Sequence, residues 1–206
     1  MPKLPKKPGL PFRPVTLPQV AKPFLVDVDN GRFRLRTAKP ADATAEMAAW
    51  MSDPVVVSGL NGTGQPMGVD QLHGYFAGFD NVRKNLAIIR AVKGDLPIGL
   101  LMFDIEPRHL IGTFHILIGS KPHRIGEASY VAVRLLLKHL FETRGVEKVC
   151  MEPLSRNKAV VAYCEWLGFR LEGILKSHRL DSRTGERLDQ HVFGMTKEEY
   201  PVWRTR

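Results

Sequence analysis

The chain has 206 residues, 44% apolar and 25% charged, with a formal net charge of +9. That size and composition fit one globular domain with a real core, and argue against a disordered or fibrous chain. No apolar run approaches the roughly 18 residues of a bilayer span, and Cys150 and Cys164 form no CxxC pair or His/Cys cluster, so a reducing cytoplasm is expected and a disulfide or metal framework is not.

Residues 1–25 hold seven of the fifteen prolines, five basic residues (Lys3, Lys6, Lys7, Arg13, Lys22) and no acid. Such a segment predicts an extended, flexible arm that lies across the domain or a partner subunit. Prolines break every apolar run that a secretory signal would need. Nucleic-acid binding by this arm is the sharper alternative, although no recognition helix or aromatic-basic nucleic-acid module is recognisable. The folded domain is expected over residues 26–206.

Regular structure should begin near Gly31. Phe33, Leu35 and Thr37 alternate with Arg32, Arg34 and Arg36, as in a half-buried strand. A helix is expected from Ala41 to Met51, with Pro40 at its start and Ser52-Asp53-Pro54 as its stop. Composition makes Ser58 to Gly64 a mobile loop, and a second helix should cover Val69 to Phe79. Three strands follow, Leu86 to Val92, Pro97 to Ile105 and His109 to Ile118, joined by turns too short for parallel crossovers. The longest helix spans about Glu127 to Thr143, with Val131, Leu135, Leu136, His139 and Leu140 at helical spacing. A strand at Glu147 to Met151, a helix from Asn157 to Leu167, and strands at Phe169 to Arg179 and Leu188 to Met195 complete the order. Leading strands in a meander and one strand–helix–strand crossover imply an α/β (α+β) fold. Its sheet is mixed, mostly antiparallel and of about seven strands, with helices on both faces.

The loop His123-Arg124-Ile125-Gly126-Glu127-Ala128 joins the third meander strand to the longest helix. Unpaired N–H groups of a first helical turn and the helix dipole make such a corner an anion site. Small residues let a pyrophosphate approach the backbone. A phosphate-bearing cofactor is the reading this supports. The loop resembles the Gln/Arg-x-x-Gly-x-Gly/Ala signature of the GNAT superfamily of N-acyltransferases, most closely its RimJ/RimL-like branch. Gly126 and Ala128 match; His123 replaces the usual Gln or Arg, with Arg124 available to supply positive charge. Ser155-Arg156-Asn157 followed by Leu167-Gly168-Phe169-Arg170-Leu171-Glu172-Gly173 looks like the family's second signature, about 30 residues on. The resemblance covers roughly residues 31–200 and implies the same order of elements.

The resemblance implies acetyl-CoA as co-substrate and no metal. Backbone groups at Ile116, Leu117 and Ile118 would bind the pantetheine arm by strand addition, the loop 123–128 the pyrophosphate, and Asn157, which should cap its helix, would lie near the cofactor. Many members place a Tyr four residues before the second-signature Gly, to protonate the departing thiolate. That position is Cys164, with Tyr163 beside it; Cys164 is either a proton donor or a small buried hydrophobe. Thr113 takes the place of a frequent catalytic Glu, and His115, on the same side, is the nearest titratable alternative. Asp104 and Glu106 are further base candidates, Glu152 a weaker one. His178 and Asp189 are expected to shape the acceptor pocket, and the segment from Trp50 to Gly64 its entrance.

The expected function is transfer of an acetyl group from acetyl-CoA to a primary amine, on a small molecule or a protein N-terminus, by direct attack in a ternary complex. A homodimer is open. The alternative is a non-catalytic protein of this fold that binds acyl-CoA or uses its basic arm on nucleic acid.

Overall fold

The computed structural model describes residues 25–201. The basic arm expected over residues 1–25 lies, except for Leu25, outside the described residues. Eight strands form one sheet: β1 (Asp27–Asp29), β2 (Phe33–Thr37), β3 (Lys84–Ala91), β4 (Leu96–Glu106), β5 (Ile111–Ile118), β6 (Lys148–Met151), β7 (Arg170–Leu180) and β8 (Arg187–Thr196). Their order across the sheet is β1-β2-β3-β4-β5-β6-β8-β7. The β5–β6 pair is parallel and every other pair is antiparallel. The sheet is therefore mixed and mostly antiparallel, as expected, with one more strand. That strand, β1, is three residues long, too short for alternation to reveal.

Helices α1 (Ala45–Trp50), α2 (Pro54–Leu60) and α3 (Val69–Ala77) belong to one side of the sheet, α4 (Ala128–Lys138) and α5 (Lys158–Trp166) to the other. Strand alternation feeds both cores: Phe114 of β5 is buried with Leu136 and Phe193 on the α4 side, while Leu117 joins Met47, Trp50 and Leu72 on the other. Each such side chain contributes about 1.5–3 kcal/mol by leaving water.

Two elements differ from the sequence expectation. The helix expected over Ala41 to Met51 is split, because Thr44 turns extended and its hydroxyl accepts from Met47 N, capping α1 anew. The loop expected over Ser58 to Gly64 begins as helix. Asp53 stops α1 but also starts α2, its carboxylate accepting from Val55 N and Val56 N, with Pro54 in the first turn where no N–H is needed. The longest helix covers its expected span, with α4 loosening into a π-helical turn at His139–Thr143.

One break in the ladder positions the site. Strands β5 and β6 pair only through Ile111, Gly112 and Thr113 against Lys148, Val149 and Cys150. Beyond Thr113 they separate, while β5 keeps its pairing with β4 as far as Ile118. The stretch 114–118 thus keeps one sheet neighbour and loses the other.

A candidate acyl-transfer site at the strand split

A cavity of about 1200 Å³ occupies the split. Its walls are Phe114 to Ile118 of β5, Met151 to Leu154 after β6, the N-terminal half of α5, and α2 laid across the top; Arg179 and Gln190 of the β7–β8 hairpin line it too. The segment after β6 is tied to β8: His191 N donates to Pro153 O and Ser155 N to Asp189 O, both at 2.9 Å.

At one end stands the loop 123–128. Gly126 has φ of +119° and open space where a Cβ would stand, a backbone that L side chains rarely adopt. The side chain of Glu127, the N-cap of α4, makes no capping hydrogen bond to the first turn. Glu127, an awkward neighbour for an anion, is ion-paired with Arg32. His123 Nδ1 shares a 2.9 Å hydrogen bond with Ser120 Oγ. Arg124 is more committed than the sequence suggested. It pairs with Asp53 at 3.0 Å and donates to Ile118 O and Gly119 O, which holds the Asp53 carboxyl below its ordinary pKa. Its charge is offset, so Arg124 fastens the loop to β5 and α2 rather than projecting free charge. Ile125 stands almost fully exposed beside it.

Asn157 caps α5, its Oδ1 accepting from Val160 N at 3.3 Å, and its Nδ2 donates to Gly59 O at 3.4 Å. It therefore ties α5 to α2 across the cavity. Arg156 does the same toward the hairpin, pairing with the buried Asp181 and donating to Asn61 Oδ1.

His115 opens onto the cavity. It keeps access to solvent, yet the protein crowded round it displaces enough water to hold its pKa below the ordinary histidine value; Asp104 and Glu152 oppose this and Arg179 adds to it. Tyr163 also lines the cavity, and burial pushes its phenol up to about 12. Cys164 faces the other way: it is fully buried in the α4-side core with its thiol 3.6 Å from Met151 Sδ, and burial pushes it up to about 12. These are the surroundings of a small buried hydrophobe.

The remaining candidates scatter. Glu152 lines the cavity. Asp104 is exposed on β4, and Glu106 accepts from Arg108 N within its turn. Asp189 is taken up by Lys176 Nζ and Ser177 N in the hairpin, and His178 is exposed next to them. Sequence reasoning missed Arg179 and Gln190, and saw Asn61 only as part of the expected entrance segment. Nothing local marks them, since each acquires meaning through partners far away in the chain.

Among the described residues, no helix is long and apolar enough to cross a membrane. The family model of the acetyltransferase (GNAT) domain matches residues 39–176. No curated protein matches the chain. Among solved structures, a GCN5-related N-acetyltransferase from Brucella melitensis superimposes with a TM-score of 0.77 at 16% identity, covering 93% of this chain and 86% of that one. Spermidine N-acetyltransferase from Vibrio cholerae, in complex with CoA and spermine, gives 0.72 at 18%, covering 84% and 99%. RimL, a ribosomal L7/L12 alpha-N-protein acetyltransferase, gives 0.68 at 15%, covering 84% and 94%. The structural likenesses carry the fold and the domain match carries the family: this chain belongs to the GNAT acetyltransferases and is an acyl-CoA-dependent N-acyltransferase.

Proposed function

We propose that the protein transfers an acetyl group from acetyl-CoA to the primary amine of a small molecule, by direct attack within a ternary complex. The observation that carries this reading is the divergence of β5 from β6 after Thr113, which opens a strand edge onto a cavity of about 1200 Å³. A pantetheine arm has amide groups at peptide-like spacing and suits such an edge. Main-chain N–H groups around Gly126 and Ala128 would hold the pyrophosphate, since Gly126 leaves open space there and the Glu127 side chain does not cap the turn. Asn157 borders the same cavity.

Acetyl-CoA supplies the acyl group already activated as a thioester. The chain's own residues hold, orient and move protons. His115, with its pKa held below the ordinary value, is neutral at pH 7 and can accept the proton that the acceptor sheds as its neutral amine adds to the thioester carbonyl. Glu152 lies across the cavity and is placed to attract that ammonium. Tyr163 is matched to hydrogen bonding rather than to full proton transfer. A phenol near 12 giving its proton to a thiolate of pKa roughly 8.5 would climb by roughly 5 kcal/mol. It would stabilise the departing sulfur as a donor and leave protonation to solvent.

The test is thiol release from acetyl-CoA with a panel of primary amines, alongside calorimetry with CoA. Turnover with at least one amine and a heat of CoA binding are expected. Binding without turnover on any amine would return the protein to the non-catalytic alternative.

A further inference from the structure

Resting on the reading of this cavity as the acyl-transfer site, we propose that the acceptor is an amine that also carries a carboxylate, and that Arg179 is the residue that recognises it. Arg179 lines the cavity. Its Nε donates to Gln190 Oε1 at 3.1 Å. Among the described residues, no hydrogen bond or ion pair engages its two terminal nitrogens. A guanidinium fixed through Nε and free at its outer edge presents the fork that pairs with a carboxylate in bidentate fashion.

Two of the other cations lining the cavity are already paired. Arg124 is paired with Asp53, and Arg156 with Asp181. Lys158 opens α5, on a different wall from the hairpin. Arg179 is thus the unspent cation on the hairpin wall.

Its placement is built. Gln190 is 5% exposed, and its Nε2 donates to Glu152 O at 2.9 Å while its Oε1 receives Arg179. One buried amide therefore links the cation to the backbone of the cavity's acid. The hairpin is also deformed in a way that serves this contact. On β7, Leu175 stands opposite Gln190 and Arg179 opposite Leu188, four residues against two. Two extra residues are absorbed by a bulge over Lys176-Ser177-His178, where Ser177 has φ of +50°. Asp189 pins the bulge, taking Ser177 N at 2.9 Å and Lys176 Nζ at 2.8 Å. In a regular ladder Arg179 would stand about 7 Å farther along β8, out of reach of Gln190. The bulge re-aims the side chain, a recurrent use of such irregularities beside binding sites.

The opposite charges set the orientation of the acceptor. Its ammonium is drawn to the His115–Glu152 side, and its carboxylate to Arg179. A simple diamine would instead meet an unpaired guanidinium, which disfavours it.

The full-length protein is assayed with acetyl-CoA on matched pairs: lysine and cadaverine, ornithine and putrescine, tyrosine and tyramine. At least a tenfold higher kcat/KM is expected for the carboxylated member of any pair that reacts, expressed mainly in KM. Arg179→Gln should bring that ratio toward one, and Arg179→Lys should restore part of it. Asp189→Asn, which leaves the guanidinium intact and loosens the bulge, should lower the ratio as well. Equal turnover within pairs, a preference for the diamines, or a ratio untouched in Arg179→Gln would overturn the inference while leaving amine acetylation standing. No turnover of any amine would overturn the acyl-transfer reading beneath it. The wild-type pairs decide the carboxylate preference even if one variant does not fold, and the remaining variants decide the part played by Arg179.

Discussion

Asn61 and Leu180 lie 119 residues apart in sequence, yet Asn61 Nδ2 donates to the Leu180 carbonyl at 2.8 Å. The same side chain accepts from Arg156 Nη2 at 3.0 Å and from Ser182 N at 3.1 Å. Its backbone is left-handed, with φ of 57°, where it ends α2. One residue therefore fastens the helix above the cavity to the hairpin beside it. Asn61→Ala removes these bonds, each worth about 0.5–1.5 kcal/mol, and adds the strain of a left-handed alanine. A loss of about 2–3 kcal/mol in urea unfolding and a raised KM for the acceptor are expected. Asn61→Gly keeps the turn without strain and should lose less stability for a similar rise in KM.

The loop before α4 gives a cleaner separation of binding from folding. Gly126→Ala puts a side chain into open space but onto a backbone of φ +119°, so the loop must rearrange. CoA affinity measured by calorimetry should fall about tenfold, while stability falls by only about 1 kcal/mol. Unchanged affinity would remove this turn from the pyrophosphate site.

His139 makes the protein sensitive to acid. It is buried at the start of the π-helical turn, edge-on to Phe103. Burial, helped by Arg144, lowers its pKa from 6.5 to about 4. Above pH 6.5 both folded and unfolded chains hold it neutral and it contributes nothing. As pH falls below 6.5 the unfolded chain takes the proton first, so stability drops until about pH 4. The displacement corresponds to roughly 3 kcal/mol. Urea unfolding between pH 7 and 4 should show this loss, and His139→Gln should flatten the slope in that window.

Tyr163 and Cys164 are neighbours in sequence that should separate in experiment. Tyr163→Phe is expected to lower kcat about tenfold with little change in KM, the mark of a contact made as the sulfur departs. Cys164→Ala should cost roughly 1–2 kcal/mol of stability by leaving a small void, and its kcat should follow only that loss. A large fall in kcat for a well-folded Cys164→Ala would restore it as a chemical group.

Most of the architecture was legible because apolar periodicity reports burial directly. The meander from β3 to β5, the long helix of the crossover and the helix and hairpin that follow it stand where alternation and helical spacing placed them. The cap at Asn157 and the turn at Gly126 were readable for the same reason, as local steric requirements. What escaped depended on partners. Asp53 reads as a stop after α1 until its carboxylate is seen to receive two amides and start α2. Arg124 reads as free charge until Asp53 meets it. Arg179 reads as an ordinary strand residue, because the bulge that sets it opposite Leu188 depends on Asp189 across the hairpin.

The separation of β5 and β6 also bears on how such a protein can change. On the reading proposed above, the trough for the common donor is framed by peptide groups, which most point mutations leave in place because only proline removes the N–H. The far wall, by contrast, consists of hairpin side chains such as Arg179 and Gln190. On that reading, evolution can exchange what receives the acyl group by rewriting one hairpin, while the half that handles the shared carrier is inherited intact.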